Sequence, residues 1–295
     1  ASGDVMGGFE SMKAGFSGVM ESAKGLQAFF LSNPYTAILV AVAAITAGIV
    51  AGANEIFQYN EKVREHIALT GNLTGTTGQL ADDIRVRAQA LADTFGGDFE
   101  ENLKAANTLA KQLGITYEEA FNKIEQGYIR GANANGDFLD RLTEYGPLLD
   151  KYGFNIDEII GLQIQAQEQG LFNDKFEYSL IEAGIALDEF TKAQADALTA
   201  AFGKDFSDKI SRDINSGALS VKDALLLMST EAKKQGLSVQ QFGQITADVF
   251  KGAGEDVGGA QVIFENLYEG INKLDQPLTR IQQKTLELSQ ANLEL

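Results

Sequence analysis

The sequence predicts an all-α protein, organised as an elongated helical assembly with a duplicated helical body and seam-forming helices at both ends. Three observations favour this class. Helix-capping patterns recur along the chain, no run of alternating β-branched residues is present, and only three prolines occur, at Pro34, Pro147 and Pro277. A chain of 295 residues with 44% hydrophobic content is also large enough to bury a core.

Residues 1–33 are predicted to form an amphipathic seam helix. Apolar side chains recur in steps of four and three from Val5 to Phe30, the spacing that keeps one stripe on a helix. A stripe of this kind favours packing against copies of the same helix, although docking on the chain's own body is the alternative. The residues assigned to this oligomer seam are Phe9, Met12, Phe16 and Val19.

Residues 34–60 are predicted to form a second, strongly apolar helix. Pro34 suits the first turn of a helix, and residues 35–53 carry no charge over a length that can span a bilayer. Ala44, Gly48 and Gly52 repeat every four residues, a pattern of small side chains that lets helices approach closely in a membrane. The segment is therefore competent to enter a membrane, but a buried helix inside a soluble assembly explains it equally well.

A Gly/Thr-rich joint is predicted over residues 61–84 and a helical body over residues 85–275. Helix starts in the body share one pattern, in which a polar cap is followed three positions later by Glu, Gln or Asp. These pairs are Asp98 with Glu101, Thr116 with Glu119, Asn155 with Glu158, Thr191 with Gln194, Ser220 with Asp223 and Ser238 with Gln241. Tight corners of glycine, an apolar residue and a cap are expected at 114–116, 153–155 and 236–238.

An internal duplication is predicted within the body, over residues 85–161 and 192–252. Residues 90–99 resemble residues 197–206, and a capped helix and a glycine corner follow each copy. The alternative is independent use of a common signal for ending a helix.

The last segment, residues 276–295, is predicted to start a coiled coil. After Pro277, apolar side chains again step by three and four, with Thr285 and Asn292 as polar members of the same stripe. The residues assigned to this second oligomer seam are Leu278, Ile281, Leu288 and Leu295.

Composition argues against most catalytic and nucleic-acid-binding functions. The net charge of −17 disfavours binding to phosphate backbones, and the absence of Cys with a single His66 disfavours thiolate and imidazole metal sites. Gly252, Gly254 and Gly258 resemble a dinucleotide fingerprint, but no strand precedes them and Glu255 and Asp256 would repel a pyrophosphate. We expect no catalytic residue, cofactor or metal, while chemistry based on carboxylates alone remains formally open.

Three stretches resemble the core of phage tail tape-measure proteins, over about residues 26 to 270. They are Gly170-Leu171-Phe172-Asn173-Asp174-Lys175, then Ile181-Glu182-Ala183-Gly184, and then residues 247–258, of which the part around Gly254 is the most specific. Asn33-Pro34 opening an Ala/Val-rich helix is similar to that family as well. The chain departs from the family at residues 187–190, which are acidic where Arg-rich sequence is often found.

The resemblance implies a structural protein of the virion that lies in the lumen of the tail tube and sets tail length. Its expected partners are copies of itself, tail-tube and tail-tip proteins and, during genome delivery, the host membrane and envelope. The alternative hypothesis is a membrane-active effector or pore-forming protein, suggested by the apolar segment. A carboxylate-based enzyme is a third and weaker hypothesis.

Overall fold

The structure, a computed structural model, describes residues 61–171 and 174–294, without the side chain of Glu294. The predicted seam helix with Phe9, Met12, Phe16 and Val19, the apolar helix with Pro34, Ala44, Gly48 and Gly52, and Leu295 lie outside the described residues. The chain divides into two units, residues 1–68 and 69–295. Residues 61–68 of the first unit are helical, and the architecture below is that of the second.

The predicted all-α class is confirmed for the described residues, which contain thirteen complete α-helices, one π-helical turn and no strand. The π-helical turn, Thr246–Phe250, follows the helix that ends at Ile245 and precedes the helix that begins at Lys251. The helices are α1 (Gln79–Phe95), α2 (Phe99–Gln112), α3 (Tyr117–Ile129), α4 (Phe138–Lys151), α5 (Ile156–Gln169), α6 (Lys175–Glu189), α7 (Lys192–Phe202), α8 (Lys204–Asn215), α9 (Val221–Gln235), α10 (Val239–Ile245), α11 (Lys251–Asp256), α12 (Ala260–Ile271) and α13 (Arg280–Glu294).

Each of the six predicted caps immediately precedes a helix. At α5 the cap is reciprocal, because Asn155 Oδ1 accepts from the Glu158 amide at 3.0 Å and the Asn155 amide donates to Glu158 Oε2 at 2.8 Å. The corner glycines Gly114 and Gly236 have φ values of +69° and +66°, which reverses the chain without a Cβ clash. Local sequence therefore determines where these helices start and turn.

The predicted joint over residues 61–84 is wrong in its extent. Residues 61–74 are helical, and α1 begins at Gln79, so only residues 75–78 separate the two helices. Thr74 Oγ1 donates to the Thr70 carbonyl at 2.7 Å and also accepts from the Thr76 amide at 3.1 Å. This threonine arrangement ends the helix in an ordered turn, where sequence composition suggested a flexible linker.

Helix α5 lies at the centre of the packing, between the helices that precede it and those that follow it. It contacts α3 and α4 on one side and α12 on the other, while α13 returns to pack on α1 and α3. Residues 159–166 of α5 are all buried, so the helix has no solvated face. A short helix buried all round is stabilised by its surroundings rather than by an amphipathic pattern of its own.

The closest approach in this core is between α5 and α12. A Cβ on Gly161 would lie 2.2 Å from the backbone oxygen of Gly270, so the two helices pack with their backbones in contact. Beside the glycines, Gln165 Nε2 donates to Asn266 Oδ1 at 2.9 Å, and Lys273 Nζ donates to Gln165 Oε1 at 3.2 Å. The polar groups that this crossing buries are therefore paired.

The predicted duplication stays a prediction, and its two copies differ locally. In the first copy, Gly96 and Gly97 separate Phe95 from the cap Asp98. In the second, Gly203 both ends α7 and immediately precedes α8, and Asp205 lies inside the first turn of α8 instead of capping it. The two similar sequences therefore form two different helix corners.

Candidate interaction surface

Among the described residues there is no cluster of three or more His, Asp or Glu side chains arranged to hold a metal ion. A groove of about 390 Å³ lies between α1, α3 and the end of α13 and is open to solvent. It is lined mainly by Leu80, Val86, Tyr117 and Leu293, and the Arg87–Glu118 ion pair crosses it at 3.3 Å. The groove is thus an open, mixed surface rather than an enclosed site.

No helix within residues 61–171 and 174–294 combines the length and the apolar character needed to cross a bilayer. The segment predicted to be membrane-competent, residues 34–60, precedes these ranges.

The C-terminal helix is where the sequence predicts a seam, and the structure places its residues on two different faces. Ser289 is buried, and Asn292 Nδ2 donates to Thr94 Oγ1 on α1 at 2.9 Å, so this side of α13 packs on the body. Ile281 and Leu288 are 80% and 54% exposed, and Leu278 is half-buried. The helix is confirmed, whereas the coiled coil stays a prediction because its main apolar positions face solvent.

The stretch around Gly254 forms a tight turn built from several unusual backbone features. Lys251 has φ +58° and ψ −155°, a region that side-chain-bearing residues rarely occupy. A Cβ on Gly254 would lie 2.4 Å from the Cβ of Phe250, and Thr246 Oγ1 accepts from the Ala260 amide at 2.8 Å. Packing therefore explains Gly254 and Thr246, whereas a Cβ on Gly252 would meet nothing within 4 Å.

The crossing of α4 and α6 buries charged side chains. Arg141 from α4 donates to Glu177 Oε1 on α6, and both side chains are almost inaccessible to solvent. Asp137 Oδ1 lies 3.6 Å from Arg141 Nη1, while Glu177 Oε2 and both amide atoms of the buried Gln163 on α5 have no hydrogen-bond partner. Burial raises the pKa of the Glu177 carboxyl above its ordinary value, against the opposing effect of Arg141.

The outer side of the same crossing exposes apolar side chains. Leu148 on α4 and Tyr178 and Ile185 on α6 are each about two-fifths exposed. The Tyr145 and Tyr178 rings lie 6.5 Å apart, and a Cβ on Gly184 would lie 2.5 Å from the Tyr152 ring. Leu148 follows Tyr145 by one turn and precedes Tyr152 by one turn, so it shares a side of α4 with the two tyrosines that lie against α6. We call Leu148, Tyr178 and Ile185 the outer patch.

Carboxylates surround the outer patch. A hydrogen bond to Glu182 and its charge raise the pKa of Tyr178, and burial together with Asp188 and Glu182 raises the pKa of Tyr152. Burial raises the pKa of Tyr145, and Asp174 and Glu144 add to the effect. Two cations are already stacked here, since Lys175 Nζ lies 5.7 Å from the Tyr178 ring centre and Lys151 Nζ lies 5.2 Å from that of Tyr152. The patch is thus apolar at its centre and charged at its edge, where Glu182 and Asp188 lie near the same tyrosines as Lys175 and Lys151.

Sequence reasoning missed the outer patch. The signal was present in α6, where the inward Phe176, Leu180 and Ile181 and the outward Tyr178 and Ile185 make two apolar stripes on one helix. A surface helix normally needs only one such stripe. A second apolar stripe that includes exposed residues is a sign of an interaction surface.

No protein-family model, no curated protein and no solved structure matches this chain. The geometry and chemistry of the described residues, together with the sequence resemblance, are therefore the basis for the function proposed below.

Proposed function

We propose that this chain is a structural part of a phage tail tape-measure protein, positioned in the lumen of the tail tube. The observation that carries the proposal is the resemblance of residues 247–258, supported by the all-helical fold of the described residues. An acidic surface suits a protein that shares a narrow tube with DNA, because like charges keep the two from adhering. Its partners would be copies of itself and the proteins of the tail tube and tail tip.

The packed body and the seam helices would contribute differently to tail length. The chain turns between helices of the body at corners such as Gly114 and Gly236, so residues added to this packed body would add little length along one axis. A continuous helix, in contrast, lengthens by about 1.5 Å per residue. The ruler would therefore be the N-terminal seam helix predicted over residues 1–33, since α13 of the C-terminal seam packs on the body, and the body would be a folded module attached to that helix.

The test is to delete seven residues from the predicted N-terminal seam, residues 1–33, in the natural full-length protein and to measure tails by electron microscopy. We expect tails shorter by about 10 Å per seven residues deleted. The matched control deletes residues 133–135 in the turn before α4, which should leave tail length unchanged. Tails of unchanged length after deletions in the seam would contradict the proposal.

A second candidate function rests on the uncharged run over residues 35–53, which suits a membrane-active effector. This function would be favoured if the purified chain caused leakage of liposomes and the substitution Gly48→Asp abolished the leakage. A membrane-active effector should also leave tail length unchanged. Leakage with unchanged tails therefore favours the effector, and shortened tails without leakage favour the tape-measure protein.

A further inference from the structure

The exposed face of α13 carries apolar and basic side chains together. Ile281, Lys284 and Leu288 follow one another by one helical turn each, and all three are exposed. Arg280 is exposed beside Ile281. Lys284 also contacts Glu287 at 3.2 Å, but such an exposed pair is too weak to hold the lysine against a better partner.

The outer patch has the complementary arrangement. Tyr178 and Ile185 are seven residues apart on α6, as Ile281 and Leu288 are on α13, so the two apolar pairs have the same separation of about 10 Å along their helices. Leu148 on α4 adds a third exposed apolar side chain to the outer patch. The edge of the outer patch includes the carboxylates of Glu182 and Asp188, whereas the face of α13 offers Arg280 and Lys284.

We propose that α13 of one copy docks on the outer patch of a second copy, placing Ile281 and Leu288 among Leu148, Tyr178 and Ile185 and Lys284 beside Glu182. The contact uses two different surfaces, so each copy keeps one free face of each kind. Contacts of this type build open head-to-tail chains or closed rings rather than symmetric dimers. The contact needs only residues of the described body, so its failure would leave the tape-measure proposal intact.

This pairing differs from the coiled coil that the sequence predicts. In a seam formed by two parallel α13 helices, Ile281 would meet Ile281 and Leu288 would meet Leu288, while Lys284 would flank this contact beside Glu287 of its own helix. Docking on the outer patch instead brings the lysine to carboxylates of the second copy. The apolar area is small, so the contact belongs to the weak class that forms at high local concentration.

Site-specific cross-linking tests the contact directly, because the chain has no native cysteine. One full-length chain carries Leu288→Cys and another carries Ile185→Cys, and disulfides are formed under mild oxidation. We expect a mixed dimer when the two are combined and little dimer from either alone. The control pairs Ile185→Cys with Val239→Cys, which is highly exposed but belongs to neither face.

Charge reversal provides the specificity test in the same assay. Lys284→Glu in the first chain should lower the yield of mixed dimer at least tenfold, by placing like charges beside each other. Glu182→Lys in the second chain should restore much of it. A general loss of folding would lower the yield in both cases without restoration, so the paired variant separates the two explanations.

Three results would overturn the proposal. The first is a mixed-dimer yield no higher than that of the Val239→Cys control. The second is a Leu288→Cys chain that cross-links to itself as efficiently as to its intended partner, which indicates a symmetric seam. The third is a Lys284→Glu yield equal to that of the unmodified pair, which removes the electrostatic part of the match.

Discussion

Two helix crossings in the same body accommodate buried polar groups in opposite ways. Where α5 meets α12, glycines bring the backbones together and the buried Gln165 is fully paired. Where α4 meets α6, the Arg141–Glu177 ion pair lies inside with Glu177 Oε2 unpaired, while apolar side chains face solvent. The first crossing is organised for stability. The second retains a buried ion pair inside and an apolar surface outside, and the proposed contact with another copy rests on that surface.

Among the substitutions that test this comparison, Arg141→Met is expected to change the free energy of unfolding most. The substitution leaves Glu177 buried without its cation, and removing one partner of a buried pair typically costs about 3 kcal/mol or more. Urea unfolding at pH 8 should show this loss in the free energy of unfolding. The double variant Arg141→Met with Glu177→Leu should regain most of it, and a double variant as unstable as the single one would contradict the account.

The next largest effect concerns the glycine contact. Gly161→Ala places a methyl group 2.2 Å from the Gly270 carbonyl oxygen, so α5 and α12 must separate at a cost of about 3 kcal/mol. Gly243→Ala in α10 is the matched control, because a Cβ there meets nothing within 4 Å and alanine favours the helix. Thermal unfolding should show a loss for the first and no loss for the second. Equal midpoints would mean that the crossing is looser than described.

Two glutamines on α5 provide a smaller, paired test. Gln165→Leu removes the hydrogen bond to Asn266 and leaves its buried oxygen unpaired, which should cost about 1–2 kcal/mol. Gln163→Leu removes a buried amide that has no partner, so stability should stay the same or rise. Chemical denaturation of both variants measures the difference. The opposite order would show that Gln163 is the better satisfied of the two.

The pH dependence of the free energy of unfolding should report on the buried carboxyl at the α4–α6 crossing. Burial raises the folded-state pKa of Glu177 above its ordinary value of 4.5, so the folded state holds the proton more tightly than the unfolded state. Its contribution is therefore complete below about pH 4.5 and is lost as pH rises through the folded pKa, with a slope of at most about 1.4 kcal/mol per pH unit. Glu177→Gln should flatten this part of the profile, and an unchanged slope would contradict it.

The smallest effect on stability is expected at the outer patch. Leu148→Ser and Ile185→Ser replace side chains that already face solvent, so the free energy of unfolding should change by less than about 0.5 kcal/mol each. Ile181→Ser, one turn before Ile185 but buried, should cost several times more. If Ile185→Ser destabilised the chain as much as Ile181→Ser, the patch would be part of the core.

The sequence was sufficient for the features that depend on neighbouring residues. A cap such as Asn155 and a corner glycine such as Gly236 act within one turn of helix, so their positions follow from local chemistry. The burial of charges where α4 meets α6 does not follow from local chemistry. Arg141 and Glu177 have the sequence context of ordinary surface charges, and they become buried only because two helices that are distant in sequence pack together. The C-terminal coiled coil stays a prediction for a related reason. Periodicity shows that Ile281 and Leu288 share a face, but not that Ser289 and Asn292 would be the side turned to the body.

Hydrogen exchange measured at low and high protein concentration tests the central claim, that the α4–α6 crossing is a contact surface, most directly. The account predicts that exchange slows with concentration in α4, α6 and α13 together, because the outer patch and the face of α13 cover each other. Exchange in α5 and α12 should not change, since their crossing is already complete within one copy. Slowing confined to α13, or none in α4 and α6, would contradict it.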